Sequence, residues 1–389
     1  MMKSFDVGIS QFFQKTFLPK KVFPLLLLFL LTLTLTHAFI VKKTVYGDGI
    51  YYFSWLKSVV VDRDINFNNE FSYFNVISFT SSTGSLINKF SIGPALHWAS
   101  TYIPLHEVFR GTGQELPYQI AVALTSVLFG FTGLLLLYRI LCLFHDERSS
   151  LATILTIAGA TPFLFYGAID TVNTHAIAFF SVSVFLSYVL SHSPNIFLAG
   201  ILLGIIGLTR PMDMLTGLLV IPFVWKRLPL LAVGTLIGFA PQLIIWYLQT
   251  GTMFVTPYGI NQEGFTFLTP HLIETLFSPV FGIFTTSPIV LLSFIGFFLP
   301  WKTIIFKKSA LALTLMIAVY AISSWSTYWQ GETYGNRMFL SFLPLASIPL
   351  SFFLSFLSRR MGFPYMLLTT TLPFSLFNAI AIFLFLFMK

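Results

Sequence analysis

The first acidic residue after the long apolar run at 22–41 is Asp48, in Tyr46-Gly47-Asp48-Gly49-Ile50-Tyr51-Tyr52. A helix starting at Gly47 carries Asp48, Tyr51, Tyr52 and Trp55 at i, i+3, i+4 and i+7, hence on one face. A carboxylate beside aromatic rings at a membrane interface suits proton abstraction from a hydroxyl or amine, because partial desolvation raises its basicity. The same residues also read as a first-turn helix acid with an interfacial aromatic belt, and spacing alone does not choose between the two.

Further along, Asp62 and Asp64 form a D-x-D pair within Val61-Asp62-Arg63-Asp64-Ile65-Asn66. Two hard carboxylates at this spacing suit a divalent cation, and short acidic stretches are equally ordinary turns. Lys89, in Asn88-Lys89-Phe90-Ser91-Ile92-Gly93-Pro94, offers a cation for a phosphate or an interfacial anchor. His175 ends Asp170-Thr171-Val172-Asn173-Thr174-His175 and reads as a hydrogen-bonded structural residue or a substrate contact. Arg210, in Gly207-Leu208-Thr209-Arg210-Pro211-Met212-Asp213, has a planar fork suited to two phosphate oxygens, or to a helix-ending pair with Asp213. Tyr334 and Arg337 close an aromatic, glycine-rich stretch, Trp325-Ser326-Thr327-Tyr328-Trp329-Gln330-Gly331-Glu332-Thr333-Tyr334-Gly335-Asn336-Arg337. Rings of this kind stack on sugars, and Arg337 balances a phosphate; the alternative is a Trp/Tyr belt. No zinc-ligand spacing, G-x-S-x-G or G-x-x-x-x-G-K-[ST] string occurs, which argues against zinc, serine-hydrolase and P-loop chemistry.

The elements that must position these groups are set by composition. Of 389 residues, 56% are hydrophobic and only 9% are charged, against about 25% in an ordinary soluble domain. Mean hydropathy is +0.83. Disordered, collagen-like and disulfide-scaffold chains are excluded, since apolar content is high and Cys142 is the single cysteine. The expectation is an all-α, polytopic transmembrane bundle forming a single domain over residues 1–389.

Apolar runs of span length occur at 22–41, 117–142, 151–168, 229–249, 283–299, 309–327, 338–357 and 364–387, with shorter ones at 175–190, 195–210 and 211–225. That makes about eleven spans. The basic start and Thr36-His37-Ala38 permit a cleaved leader, but the long basic region and near-span apolar run favour a retained anchor. With the N-terminus in the cytoplasm, the cytoplasmic segments carry Lys3, Lys15, Lys20, Lys21, Arg139, Arg148, Lys226, Arg227, Lys302, Lys307, Lys308, Arg359 and Arg360, against Asp6, Asp146 and Glu147. The net charge of +8 is therefore an N-in/C-out orientation signal and not a nucleic-acid footprint. The largest extracytoplasmic loop is then 42–116, expected to carry interfacial helices, with further loops at 250–282 and 328–337. No internal repeat of the kind many transporters carry is visible.

In order and topology these motifs resemble the GT-C superfamily of integral-membrane glycosyltransferases. Gly-Asp-Gly opens the first large loop, followed by Val-Asp-Arg-Asp-Ile-Asn-Phe, Asn-Lys-Phe-Ser-Ile-Gly-Pro-Ala, Gly-Leu-Thr-Arg-Pro, Phe-Ser-Pro-Val-Phe-Gly-Ile-Phe and Trp-Gln-Gly-Glu-Thr-Tyr-Gly-Asn-Arg, covering Gly47 to about Pro344. Within it the chain looks most like bacterial relatives of the protein O-mannosyltransferase and aminoarabinose transferase group. The resemblance implies a polyprenyl-phosphate sugar donor, a lipid, glycan or protein acceptor, surrounding membrane lipids and no nucleic acid. It implies Asp48 as general base, matches Asp62 and Asp64 to a recurrent acidic stretch, and assigns Arg210 and Arg337 to donor phosphate or cavity architecture. From the residues themselves, Tyr51, Tyr52, Lys89, His175 and Tyr334 join Asp62, Asp64, Arg210 and Arg337 as expected substrate-binding residues. No resident cofactor follows from the resemblance, a divalent cation at the D-x-D pair being the one option. It further implies a bacterial inner membrane with the site facing outward. Many relatives have Asp-Glu where this chain has Asp48-Gly49, which bears on the acceptor. The alternatives are a flippase or transporter of lipid-linked glycans, which favours charges along the bundle interior, and a polymerase or ligase, whose largest loop lies late in the chain.

Overall fold

The structure, a computed structural model, describes residues 17–80, 86–191, 193–255, 258–259, 263–301, 307–331 and 333–387. Lys3, Asp6, Lys15, Lys302 and Glu332 of the charge pattern lie outside the described residues. The described chain is helical apart from a short antiparallel ladder pairing Phe79–Thr80 with Leu86–Ile87.

The helices that matter below are α1 (Phe17–Val41), α2 (Asp48–Leu56), α3 (Asn68–Phe74), α4 (Gly93–Phe109), α5 (Leu116–Leu141), α6 (Glu147–Ala160), α7 (Phe163–Ala168), α8 (His175–Val189), α9 (Ile196–Thr209), α10 (Leu228–Thr250), α11 (Pro288–Phe298), α12 (Lys308–Ser323), α13 (Leu343–Met361) and α14 (Leu372–Phe387). Among the described residues, five helical stretches are long and apolar enough to cross a membrane: Pro19–Val41, Leu116–Leu141, Ile221–Thr250, Arg337–Met361 and Phe363–Phe387. The apolar helices α8, α9, α11 and α12 are shorter. Several expected spans are broken by proline. The run 151–168 divides into α6 and α7 at Thr161-Pro162, where Thr161 is extended as a residue before proline must be. The run 283–299 divides at Ser287-Pro288. The run 211–225 is not a continuous α-helix: Pro211–Leu219 is a 3-10 helix, followed by the short helix Ile221–Val224.

Burial separates centre from periphery. In the apolar window of Arg337–Met361, 89% of residues are buried, against 17% at Pro19–Val41 and 22% at Phe363–Phe387. α13 is therefore the axis, and the outer two present apolar faces outward. Around the axis pack Leu134 and Leu137 of α5, Ile154 of α6, Phe163 and Tyr166 of α7, and Phe179 and Phe185 of α8. α9 and α10 approach closest, along Gly200 and Gly204 on one and Gly234 and Gly238 on the other. A Cβ at any of the four would lie 2.2–2.3 Å from a facing carbonyl oxygen. Glycines four apart share a helix face, so this spacing builds a seam that larger residues would prise open.

Segment 42–116 is a folded layer with its own aromatic core of Trp55, Phe67, Phe71, Phe90, Trp98 and Tyr102. α2 continues into a π-helical turn, Lys57–Asp62, and ends at Arg63, whose φ of 61° is left-handed. The Trp55 Nε1–H donates to the Phe90 carbonyl at 3.1 Å, and Trp98 Nε1–H to Ser126 Oγ at 2.7 Å. These bonds satisfy the polar edge of each buried indole and fasten the layer to itself and to α5.

Candidate active site

A cavity of about 760 Å³ opens where this layer meets the helix ends. Its lining includes Asp48 and Tyr52 of α2, Lys89, His175 of α8 and Arg210. Trp246 of α10, Tyr258, Glu263, Trp325, Trp329 and Arg337 also line it. The glycine seam matters here, because it holds the end of α9, with Arg210, beside Trp246 on α10.

Asp48 is placed by the two glycines flanking it. Gly47 has φ +54°, a region open to glycine, and turns the chain into α2. Gly49 lies so close to segment 169–174 that a Cβ would come 2.0 Å from the Val172 carbonyl oxygen. No side chain therefore fits at position 49. Asp48 Oδ2 accepts a hydrogen bond from Arg337 Nη2 at 2.5 Å. Its side chain remains 35% exposed, and Oδ1 has no hydrogen-bond partner among the described residues. Arg337 follows Asn336, whose Oδ1 accepts from the Met338 N–H at 3.3 Å and caps the 3-10 turn Arg337–Phe342.

Arg210 ends α9 in an extended conformation imposed by Pro211. Its Nη1 is 3.4 Å from His175 Nδ1. No carboxylate among the described residues lies within 4 Å of Arg210, so the expected Arg210–Asp213 ion pair is not formed. His175 is buried, its backbone N–H held by Asn173 Oδ1 at 2.8 Å. Gly93 packs against this turn, where a Cβ would meet the Leu208 carbonyl oxygen at 2.1 Å. Lys89 Nζ reaches Glu263 Oε1 at 2.9 Å and sits 5.4 Å from the Tyr258 ring centroid. Among the described residues the cavity therefore holds the cations Lys89, Arg210 and Arg337 and the carboxylates Asp48 and Glu263; Lys89 and Arg337 each face a carboxylate, and Arg210 does not.

Asp48, Tyr52, Lys89, His175, Arg210 and Arg337 are brought together, whereas Tyr51, Asp62, Asp64 and Tyr334 do not line the cavity. Tyr51 turns away to donate to the Ile77 carbonyl at 3.0 Å, its ring stacked on Phe90. Tyr334 is buried, with its hydroxyl donating to Asn378 Oδ1 at 2.7 Å. The two D-x-D carboxylates face different partners. Asp62 is ion-paired to Lys57 and accepts from Asn69 Nδ2 at 2.6 Å, while Asp64 accepts from Ser58 Oγ at 2.8 Å and the Asn66 N–H at 3.0 Å. Lys57 supplies the positive charge that Asp62 faces, and no metal-suited group of three His, Cys, Asp or Glu occurs among the described residues. No protein-family model matches the chain, and no characterised protein matches it significantly.

Asp170, which its spacing does not mark as a site residue, lies near the site. Its turn is tied by Asn173 Nδ2 donating to the Asp170 carbonyl, and its charge acts on Arg337. Burial pushes its carboxyl up to about 7, with Arg337 opposing that rise. An Asp at the lip of an apolar run, three residues before Asn173-Thr174-His175, is the signal the sequence offers.

The Lys57–Asp62–Glu70 cluster joins the π-helical turn after α2 to α3. Lys57 Nζ lies 3.4 Å from Glu70 Oε1, and Glu70 is fully buried. Burial pushes Glu70 up to about 7 from an ordinary 4.5. Burial also works to raise Asp62, but hydrogen bonds from Lys57 and Asn69 outweigh it and leave Asp62 below its ordinary value. Between pH 4.5 and about 7 the unfolded chain has lost the Glu70 proton and the folded chain keeps it. Folding of this layer therefore weakens as pH rises through that window, while the Asp62 contribution is lost only in stronger acid. Amide exchange across residues 57–75 is expected to accelerate from pH 5 to 7.5 beyond its intrinsic rise, and Glu70→Gln to remove that excess. An excess that persists in the Gln variant would assign the effect elsewhere.

Proposed function

We propose that the protein is an inverting glycosyltransferase of the GT-C kind. It moves a sugar from a polyprenyl-phosphate donor to a lipid, glycan or protein acceptor at the extracytoplasmic face of a bacterial inner membrane. The observation that carries this reading is one cavity, lined in part by aromatic rings, that holds a partly open carboxylate, Asp48, and a cation, Arg210, with no carboxylate partner among the described residues. Inversion at an anomeric carbon needs a base for the incoming nucleophile and positive charge for the departing phosphate.

In this mechanism Arg337 holds Asp48 by Oδ2 and leaves Oδ1 for the acceptor. Asp48 Oδ1 takes the proton of the acceptor hydroxyl or amine. The freed lone pair attacks the anomeric carbon as the bond from that carbon to the phosphate oxygen breaks. Polyprenyl phosphate leaves with that electron pair, its charge met by Arg210 and by Lys89 and Arg337 beside it. Trp246, Trp325 and Trp329 offer faces for the sugar ring. With about eleven segments in an N-in/C-out arrangement, the cavity lies at the outer surface, where the isoprenoid tail enters sideways from the bilayer. A charge set gathered at one rim serves transfer better than the distributed interior charges a flippase requires.

The test is purified protein in lipid, supplied with a panel of polyprenyl-phosphate sugars and membrane extract as acceptor, with free polyprenyl phosphate as readout. Catalytic release with one donor is expected. No release above a protein-free control across the panel would remove the reading.

A further inference from the structure

The stretch 264–271 has no task in the mechanism above, yet it is firmly built. Phe265 forms an antiparallel bridge with Trp325, just past the end of α12. Around it the Ser326 N–H donates to the Gly264 carbonyl at 2.8 Å, the Thr266 N–H to the Ser324 carbonyl at 2.6 Å and the His271 N–H to the Ser323 carbonyl at 2.8 Å. Alternate residues of an extended chain share a face, and Phe265 and Phe267 stack their rings at 4.9 Å and 2°. Phe267 in turn stacks on Tyr320 at 6.3 Å and 13°, and the Tyr320 hydroxyl donates to the Phe267 carbonyl. Inward, Phe265 meets Trp325 edge-on at 4.8 Å, and Trp325 meets Tyr258 at 5.5 Å.

The row begins in the cavity and ends outside it. Tyr258, Phe265 and Trp325 belong to the cavity lining, whereas Phe267 and Tyr320 do not and are exposed. Beyond Tyr320 the exposed positions of α12 are Met316, Leu313 and Ser309, a stripe at spacings of four, three and four that carries no charge. Leu268, at the tip of the strap, is 97% exposed. Apolar surface left open on this scale is covered in use by lipid or by a ligand. Bulk lipid accounts for the stripe by itself. It gives no reason for rings held by a hydrogen-bonded strap to run from that stripe into a cavity lined by Arg210.

We propose that this aromatic row is the track on which the donor's isoprenoid tail lies, with the phosphate at Arg210 and the tail leaving past Phe265 and Phe267 to the exposed stripe of α12. The inference rests on the function proposed above and names the part of the molecule that recognises the lipid. An amphiphile with one anionic head and a long apolar tail matches the order of surfaces: a cation in the cavity, rings that lead out of it, an uncharged helix stripe beyond. Flat rings give the tail broad contact with little rotamer freedom to lose. Backbone bonds to the end of α12 hold the rings in place before lipid arrives, so binding does not have to order them. A longer tail covers more of the row, and affinity rises with tail length until the row is covered.

The experiment uses the full chain in lipid nanodiscs and two probes with the same head group, short-tailed citronellyl phosphate and long-tailed solanesyl phosphate. Partition into the bilayer is common to all variants and cancels when they are compared. Wild-type protein is expected to bind both, the long-tailed probe more tightly, and Arg210→Gln to weaken both alike. In Phe267→Ala the ratio of the two affinities should fall roughly three- to tenfold, the scale of one lost aromatic contact. Tyr320→Ala should lower it similarly, and Tyr320→Phe, which keeps the ring, should not. Phe383→Ala removes an exposed ring on α14, outside the row, and should leave the ratio at the wild-type value. Photolabelling of wild-type protein with a farnesyl phosphate bearing a tail diazirine needs no variant. It should mark peptides from 264–271 and α12 in preference to α14. A ratio unchanged in both Phe267→Ala and Tyr320→Ala, or label falling on α14 as often as on the row, overturns the track and leaves the proposed function standing. Loss of fold in those variants leaves the labelling to decide by the same criterion. Failure of wild-type protein to bind either phosphate removes the cavity reading itself, and this inference with it.

Discussion

Asp48→Asn is expected to reduce sugar transfer by about 10²- to 10⁴-fold, the usual range for removing a general base. The amide keeps the shape of the carboxylate and fits the turn between Gly47 and Gly49, so the cavity should survive. Only the proton acceptor goes. The loss should appear in kcat, with donor KM nearly constant, because in the proposed mechanism Asp48 acts on the acceptor rather than on the donor phosphate. One secondary effect is foreseeable: Arg337 loses its ion-pair partner, although Asp170 still acts on it. Asp48→Ala removes both base and hydrogen bond, and any difference between the two variants measures the positioning part. Initial rates of polyprenyl phosphate release, with protein integrity checked by thermal unfolding, decide the matter. Full activity in Asp48→Asn would sink the base assignment.

Arg210→Gln is the second large effect, expected at about 10²- to 10³-fold in kcat, the scale for removing one preorganised donor to a developing anion. Arg210 has no carboxylate partner among the described residues within ion-pair distance, so its charge is available to a ligand. Arg337 and Lys89 already face Asp48 and Glu263. Replacing either of those therefore mixes loss of charge with release of a carboxylate. Arg210→Lys should recover part of the activity, since an ammonium keeps the charge and loses the planar two-donor fork. Competition by polyprenyl phosphate gives an independent readout, with product inhibition weakening in the Gln variant. Inhibition equal to wild type, together with unaltered kcat, would remove Arg210 from the anion site.

Part of this architecture was legible in the chain. The membrane class followed from bulk transfer energetics, which depend on composition and run length and need no knowledge of contacts. The start of α2 was legible too, since Gly-Asp-Gly before an aromatic run marks a helix entry, and Asp48 and Tyr52 do share the cavity face. Tyr51 shows the limit of that argument. At i+3 from Asp48 it belongs to the same broad face, but its hydroxyl found a backbone acceptor, Ile77, outside the cavity. The D-x-D pair shows another. Alternate residues in a turn point apart, and Asp62 and Asp64 were drawn to Lys57 and Ser58 by contacts no spacing rule specifies.

Asp48 and Arg337 are 289 positions apart, and their pairing shows where sequence reasoning stops. Apolar content, positive-residue placement and the order of motifs are properties of the chain itself, and they suffice for the membrane class and a short roster of ionisable residues. Which of those residues share a cavity depends on how closely helices approach. That was decided by contacts such as Gly49 on Val172, Gly93 on Leu208 and the Gly200/Gly234 seam. Close backbone approach has no periodicity and no charge signature. So only the packed structure could separate Arg210, lining the cavity, from Asp213, three residues on, buried and outside its lining.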